Sequence, residues 1–276
     1  MLSLELGAGE EVVLSNTIPW PYKEVGQLVR AVAEQARDFA GLVNIGSSAE
    51  GRDIVGLDFR ARDGLPAVLV IAGEHATEFA GQHAVRGIIE FLASDRPGAV
   101  RLRRRVRVLV GPQVNPDGNV HGLMKHNALG ANLCESYSDA ELADPRQPPE
   151  CRAVFEWADA ARPALVLNFH GGTWTFGNPP HHFTLRVRPE LHPSPVGRAR
   201  QEAVDRAIVD HTDGTSRVGR LQDSSGYGLH NHCAAERRSA AGLVYEPELG
   251  SGVAECMRTG VRVLRATTDA LLARAE

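Results

Sequence analysis

Residues Ala67–Ala72 read Ala-Val-Leu-Val-Ile-Ala, six small or apolar side chains without a polar interruption, and the run halts at Gly73, just before His75. A strand that is apolar at every position is buried on both faces, so the sheet that holds it must be covered by helices on both sides. Two later segments repeat the pattern. Leu165–Phe169 runs into His170-Gly171-Gly172, and Gly242–Tyr245 runs into Glu246-Pro247-Glu248. In open α/β sheets, ligands gather at the carboxyl edge of the strands, so these three ends can converge although they lie far apart in the chain.

Between them the apolar spacing turns helical. Val25, Leu28, Val29, Val32 and Ala33 predict an amphipathic helix over Tyr22–Leu42, with Gly41 near its end. A short strand over Ile54–Phe59 follows, then a helix over Phe79–Leu92 and a second buried strand over Val106–Val110. Asn115–Pro149 is rich in Asn, Gly, Asp, Ser and Pro and reads as long loops. Helices are expected over Glu150–Ala161, Arg198–Val209 and Val253–Leu272, with irregular chain around Pro179–Pro195. No repeat or linker divides the sequence. At 276 residues and 43% hydrophobic content, one α/β domain over 1–276 is the expectation.

A net charge of −4 gives no general attraction to nucleic acid or anionic membrane. The local basic run Arg101, Arg103, Arg104, Arg105 and Arg107 reads as the solvated approach to a strand. The four cysteines lack the spacing of a disulfide framework or a structural zinc site and suit a reducing compartment. No basic stretch leads into an apolar one near Met1, and no apolar run reaches eighteen residues. The expectation is a cytoplasmic protein with a small-molecule or peptide substrate.

His75 and Glu78 stand three apart, close enough to reach one cation from a single turn, and His170 offers a third ligand. Two imidazoles and one carboxylate suit zinc better than magnesium or calcium, which prefer all-oxygen shells, and three protein ligands leave the fourth tetrahedral position to water.

These residues resemble the zinc carboxypeptidase family. Gly46-Ser47-Ser48-Ala49-Glu50-Gly51-Arg52 is similar to its G-x-S-x-E-G-R motif, Gly73–Glu78 to its H-x-x-E zinc motif, and Asn115-Pro116-Asp117-Gly118 to its N-P-D-G turn. The resemblance runs from about Tyr22 to the C-terminus. It implies one domain built on a mixed, mostly parallel sheet of about eight strands between helices, with zinc held at the strand ends by His75, Glu78 and His170. It also implies a general base at the end of a late strand, either Glu246 or Glu248. Pro247 is a poor strand-interior residue, which favours Glu246. Lys125 falls where the family places an oxyanion-stabilising arginine.

One motif departs. Where the family reads roughly G-x-D-L-N-R-N-F, with Asn and Arg gripping a terminal carboxylate, this chain has Gly130-Ala131-Asn132-Leu133-Cys134-Glu135-Ser136-Tyr137. The docking charge is inverted at Glu135, so a carboxylate would be repelled and a cationic group attracted. Asn132, Glu135 and Tyr227 are the candidate substrate contacts, and His181, His182, Arg186 and Arg188 form a candidate rim. The expected activity is hydrolysis of an amide or peptide bond in a small or modified substrate. Alternatives are an N-acyl amino acid deacylase of the aspartoacylase type, or a non-catalytic binding protein that kept the fold.

Overall fold

The computed structural model describes residues 3–12, 17–60, 62–137, 144, 146–171, 183–187, 192–211, 221–223, 228–231, 233, 240–247 and 252–273. Its elements, in chain order, begin with α1 (Tyr22–Gln35), β1 (Ala40–Ser47), β2 (Asp53–Phe59), β3 (Ala67–Ala72), α2 (Phe79–Ala93), α3 (Pro97–Arg105), β4 (Arg107–Gly111) and α4 (Pro116–His121). They continue with α5 (Pro149–Ala161), β5 (Leu165–Phe169), β6 (Phe183–Arg186), α6 (Pro195–His211), β7 (Leu221–Asp223), the single turn α7 (Leu229–Asn231), β8 (Ala241–Glu246) and α8 (Val253–Leu272).

The strands form one eight-stranded sheet in the order β1-β2-β4-β3-β5-β8-β6-β7. The central strands β4, β3, β5 and β8 are mutually parallel. Antiparallel pairing enters at β1-β2, β2-β4 and β6-β8. Alternation within β3 shows why its run is apolar throughout. Val68, Val70 and Ala72 enter a core shared with α1, α2, α3, α6 and α8, while Ala67, Leu69 and Ile71 enter the opposite core against α5. The parallel centre therefore has helices on both faces, as its pattern demands.

Four local expectations are corrected. The opening helix stops at Gln35, and Ala40–Ser47 is an edge strand. A register shift between Asn44 and Gly46 breaks its alternation, and Leu42 on the open edge is exposed, so the segment lacks a strand signature. The arginine run is the end of α3, begun by Pro97, and Arg107 opens β4. Within it Arg103 is buried, its guanidinium 3.8 Å above the Phe39 ring and bonded to the Leu92 and Ser94 carbonyls. Such a stacked, backbone-bonded arginine packs as an apolar plate with satisfied donors. The loop region after Asn115 opens with α4, capped by the Asn115 side chain accepting from Gly118 N at 2.9 Å. Arg186 lies in β6 and pairs with Asp205 at 3.0 Å, so it belongs to the sheet and not to a rim loop.

Candidate active site

Three neighbouring parallel strands set the site. Ala72, Phe169 and Tyr245 stand in register across β3, β5 and β8, so His170 and Glu246 are the next residues on their strands. His170 N donates to the Tyr245 carbonyl at 3.0 Å and extends the ladder by one step. On β3 the chain turns at Gly73, whose φ of 79° is left-handed and whose absent Cβ would fall 2.3 Å from Gln113 Oε1. His75 and Glu78 follow in the turn that leads into α2. The start of α2 presses against β5 at Gly81, where a Cβ would lie 2.3 Å from the His170 carbonyl oxygen.

His75, Glu78 and His170 come together with ligand atoms all within 4.8 Å of one another. His75 Nδ1 lies 2.9 Å from Glu78 Oε1, His170 Nδ1 2.9 Å from Glu78 Oε2, and the two Nδ1 atoms are 3.2 Å apart. A tetrahedral zinc with Zn–N bonds of about 2.0–2.1 Å holds its nitrogens about 3.4 Å apart, so the donor set fits the ion. Gly171 N donates to Glu78 Oε2 at 3.1 Å and fixes the carboxylate. Burial pushes the Glu78 carboxyl up, but hydrogen bonds and charge from His170 and His75 outweigh it and hold the group down at about 2. It is held in the ionised form, the form in which a carboxylate can take a metal.

Around this centre, several residues are placed by specific partners. His75 Nε2 faces Asn132 Oδ1 at 3.1 Å and Cys134 Sγ at 3.3 Å, so Asn132, expected as a substrate contact, stands behind a candidate metal ligand. Burial first, then the charges of Glu74, Glu135 and Glu78, push the Cys134 thiol up and keep it protonated. His170 Nε2 faces Glu74 Oε2 at 3.0 Å. Asn115 Nδ2 donates to the Glu74 carbonyl at 3.0 Å and ties the N-P-D-G turn to the ligand loop. Glu246 ends β8, is 9% exposed, and is raised by burial and by Glu78 while His170, His75 and Lys125 pull it back. Half-buried Lys125 acts electrostatically on both Glu246 and Cys134. Glu135, in the 3-10 turn Leu133–Glu135, is exposed and makes no ion pair with a described residue. Tyr227, Glu248, His181, His182 and Arg188 lie outside the described residues.

Sequence reasoning passed over Glu74, which is fully buried. One signal could have found it. Asn168 is a polar residue inside an otherwise apolar strand, and its amide donates to Glu74 Oε2 at 2.7 Å.

A profile of the zinc carboxypeptidase family matches residues 25–217. The catalytic chain of mouse carboxypeptidase N is 26% identical over 207 residues, covering 60% of this chain and 45% of that one. The chain thus spans about half the length of that relative. A metallo-carboxypeptidase from Burkholderia cenocepacia shares the fold with a TM-score of 0.78 at 22% identity, covering 92% of this chain and 70% of its own. A metallo-carboxypeptidase from Pseudomonas aeruginosa, solved with (2-guanidinoethylmercapto)succinic acid, superposes with a TM-score of 0.75 at 22% identity over 92% of this chain and 70% of its own. With the motifs, the strand-end ligands and the profile in agreement, this chain belongs to the zinc carboxypeptidase family.

Proposed function

We propose that the protein hydrolyses an amide or peptide bond in a small or modified substrate that carries a positive charge, with Glu246 as general base and Lys125 stabilising the oxyanion. The observation that carries this reading is the position of buried Glu246 on the strand beside His170, within electrostatic reach of all three ligands. His75, Glu78 and His170 would hold the zinc, which when bound would supply Lewis acidity toward the scissile carbonyl and toward water. Glu246 takes the proton of the attacking water and returns it to the leaving nitrogen, a role suited to a carboxylate whose pKa burial has raised. Lys125 contributes a point charge where negative charge develops on the carbonyl oxygen.

Glu135 supports the charge assigned to the substrate. It is exposed, it has no ion-pair partner among the described residues, and its charge reaches Cys134, which touches His75. A carboxylate there attracts an amine or guanidine and repels a carboxylate. Among the described residues no helix is long and apolar enough to cross a membrane, and all four cysteines are free. The free thiols support a reducing, cytoplasmic setting for this chemistry.

A panel of short amides ending in lysine, arginine, alanine, glutamate or a neutral amide, assayed with and without a chelator, tests the reading. Chelator-sensitive hydrolysis favouring the cationic members by about tenfold in kcat/KM is expected, and this preference should shrink in Glu135→Gln. Equal turnover across the panel would remove the charge assignment. No hydrolysis of any member with zinc bound would remove the peptidase reading.

A further inference from the structure

The two metal-binding histidines differ in what stands behind them. His75 Nε2 meets an amide oxygen, Asn132 Oδ1 at 3.1 Å, and a thiol, while His170 Nε2 meets a carboxylate, Glu74 Oε2 at 3.0 Å. Glu74 is fully buried, and the same oxygen accepts from Asn168 Nδ2 at 2.7 Å. Asn168 sits two residues before His170 on β5, so one strand supplies both the ligand and the group that fixes the ligand's partner. The backbone of Glu74 is fixed as well, by Gly73 before it and by the Asn115 amide on its carbonyl.

Resting on the zinc-centre reading, we infer that Glu74 is a positioning residue for His170, whose carboxylate holds the ring at Nε2 so that Nδ1 faces His75 and Glu78, where the metal would be held. Glu74 meets the ring at Nε2, so the imidazole is gripped at one nitrogen while the other, Nδ1, points at the cluster with His75 and Glu78. An amide in the same place would lack the charge that strengthens this contact and would grip the ring less firmly. Burying a carboxylate is costly unless it is paired, so a glutamate whose hydrogen bonds run to His170 and to Asn168 is poorly explained as mere packing. A carboxylate behind a ligating imidazole raises its basicity, and its removal typically weakens metal binding about 10- to 100-fold. His75, backed by Asn132, lacks that support, which makes His170 the more strongly anchored of the two imidazoles.

The test is zinc affinity by competition with a chromophoric chelator in wild type, Glu74→Gln and Asn168→Ala, with thermal melts of each metal-free protein. Glu74→Gln is expected to weaken zinc about 10- to 100-fold. Asn168→Ala, which leaves the carboxylate but loosens its hold, is expected to weaken it several-fold and decides the matter should Glu74→Gln not fold. A purely structural Glu74 would lower the metal-free melting temperature while zinc affinity stays within about twofold of wild type, and that result overturns the inference. Wild type failing to bind zinc would instead overturn the metal-centre reading itself, so the two failures are distinct.

Discussion

Asp117 Oδ1 accepts a 2.6 Å hydrogen bond from the Ser48 hydroxyl, across 69 positions of sequence. The same carboxylate takes Arg52 Nη1 at 2.6 Å and the Glu50 amide at 2.9 Å. The G-x-S-x-E-G-R segment and the N-P-D-G turn are therefore one unit, locked by a fully buried aspartate. Arg52 also bonds Glu50, which in turn meets His121 on α4 at 2.8 Å. Asn115, at the head of the same turn, reaches the ligand loop through the Glu74 carbonyl. The two motifs thus form one braced unit, joined through Asn115 to the loop that carries His75 and Glu78.

Replacing Asp117 by alanine leaves the Ser48 hydroxyl and the Glu50 amide without their acceptor and Arg52 without its inner partner. The expected loss is about 3 kcal/mol, read as a lower urea midpoint with an unchanged m-value. A loss under about 1 kcal/mol would mean that water replaces the carboxylate at no cost and that the unit is not locked.

Glu246→Gln keeps the size and strand position of the side chain and removes its ability to take a proton. Hydrolysis should fall by about 10²- to 10⁴-fold while zinc content is unchanged. Activity near wild type would transfer the base to another group, with Glu248 the first to examine.

Lys125→Ala should lower kcat by about 100-fold with little change in KM, because the charge acts on the transition state more than on bound substrate. An effect on KM alone would instead make Lys125 a substrate contact.

His230 should make the protein acid-sensitive. It is buried in the turn α7, neither ring nitrogen has a hydrogen-bond partner among the described residues, and burial holds its pKa down at about 4. The folded protein keeps this ring neutral, whereas the unfolded chain protonates it near pH 6.5. Its contribution is thus fully present above about pH 6.5 and is lost as pH falls toward 4, by up to about 3 kcal/mol. His230→Leu should remove that portion of the difference in unfolding free energy between pH 7 and pH 4. An identical pH dependence in the variant would show that the ring is protonated in the folded state.

Much of this fold was legible because its centre is written in unbroken apolar runs. A strand like Ala67–Ala72, buried on both faces, permits few alternatives, and the polar residues that end β3, β5 and β8 fall at the edge where such sheets place their sites. The outer strands carry weaker signals. The shift between Asn44 and Gly46 disrupts the alternation of β1, and β7 spans three residues. Arg103 and Glu74 were hidden for a common reason. Charged side chains are mostly exposed, and what buries these two is a ring at Phe39, a carbonyl at Leu92, and the amide of Asn168, each brought close only by the tertiary fold.

The central claim is that His75, Glu78 and His170 form one zinc site, and the metal content of the purified protein addresses it most directly. Wild type should carry close to one zinc per chain after zinc is supplied and excess removed, and a His75→Ala, His170→Ala double variant should carry almost none while keeping its far-ultraviolet circular dichroism. Equal zinc in the two proteins, or none in wild type, would contradict the account.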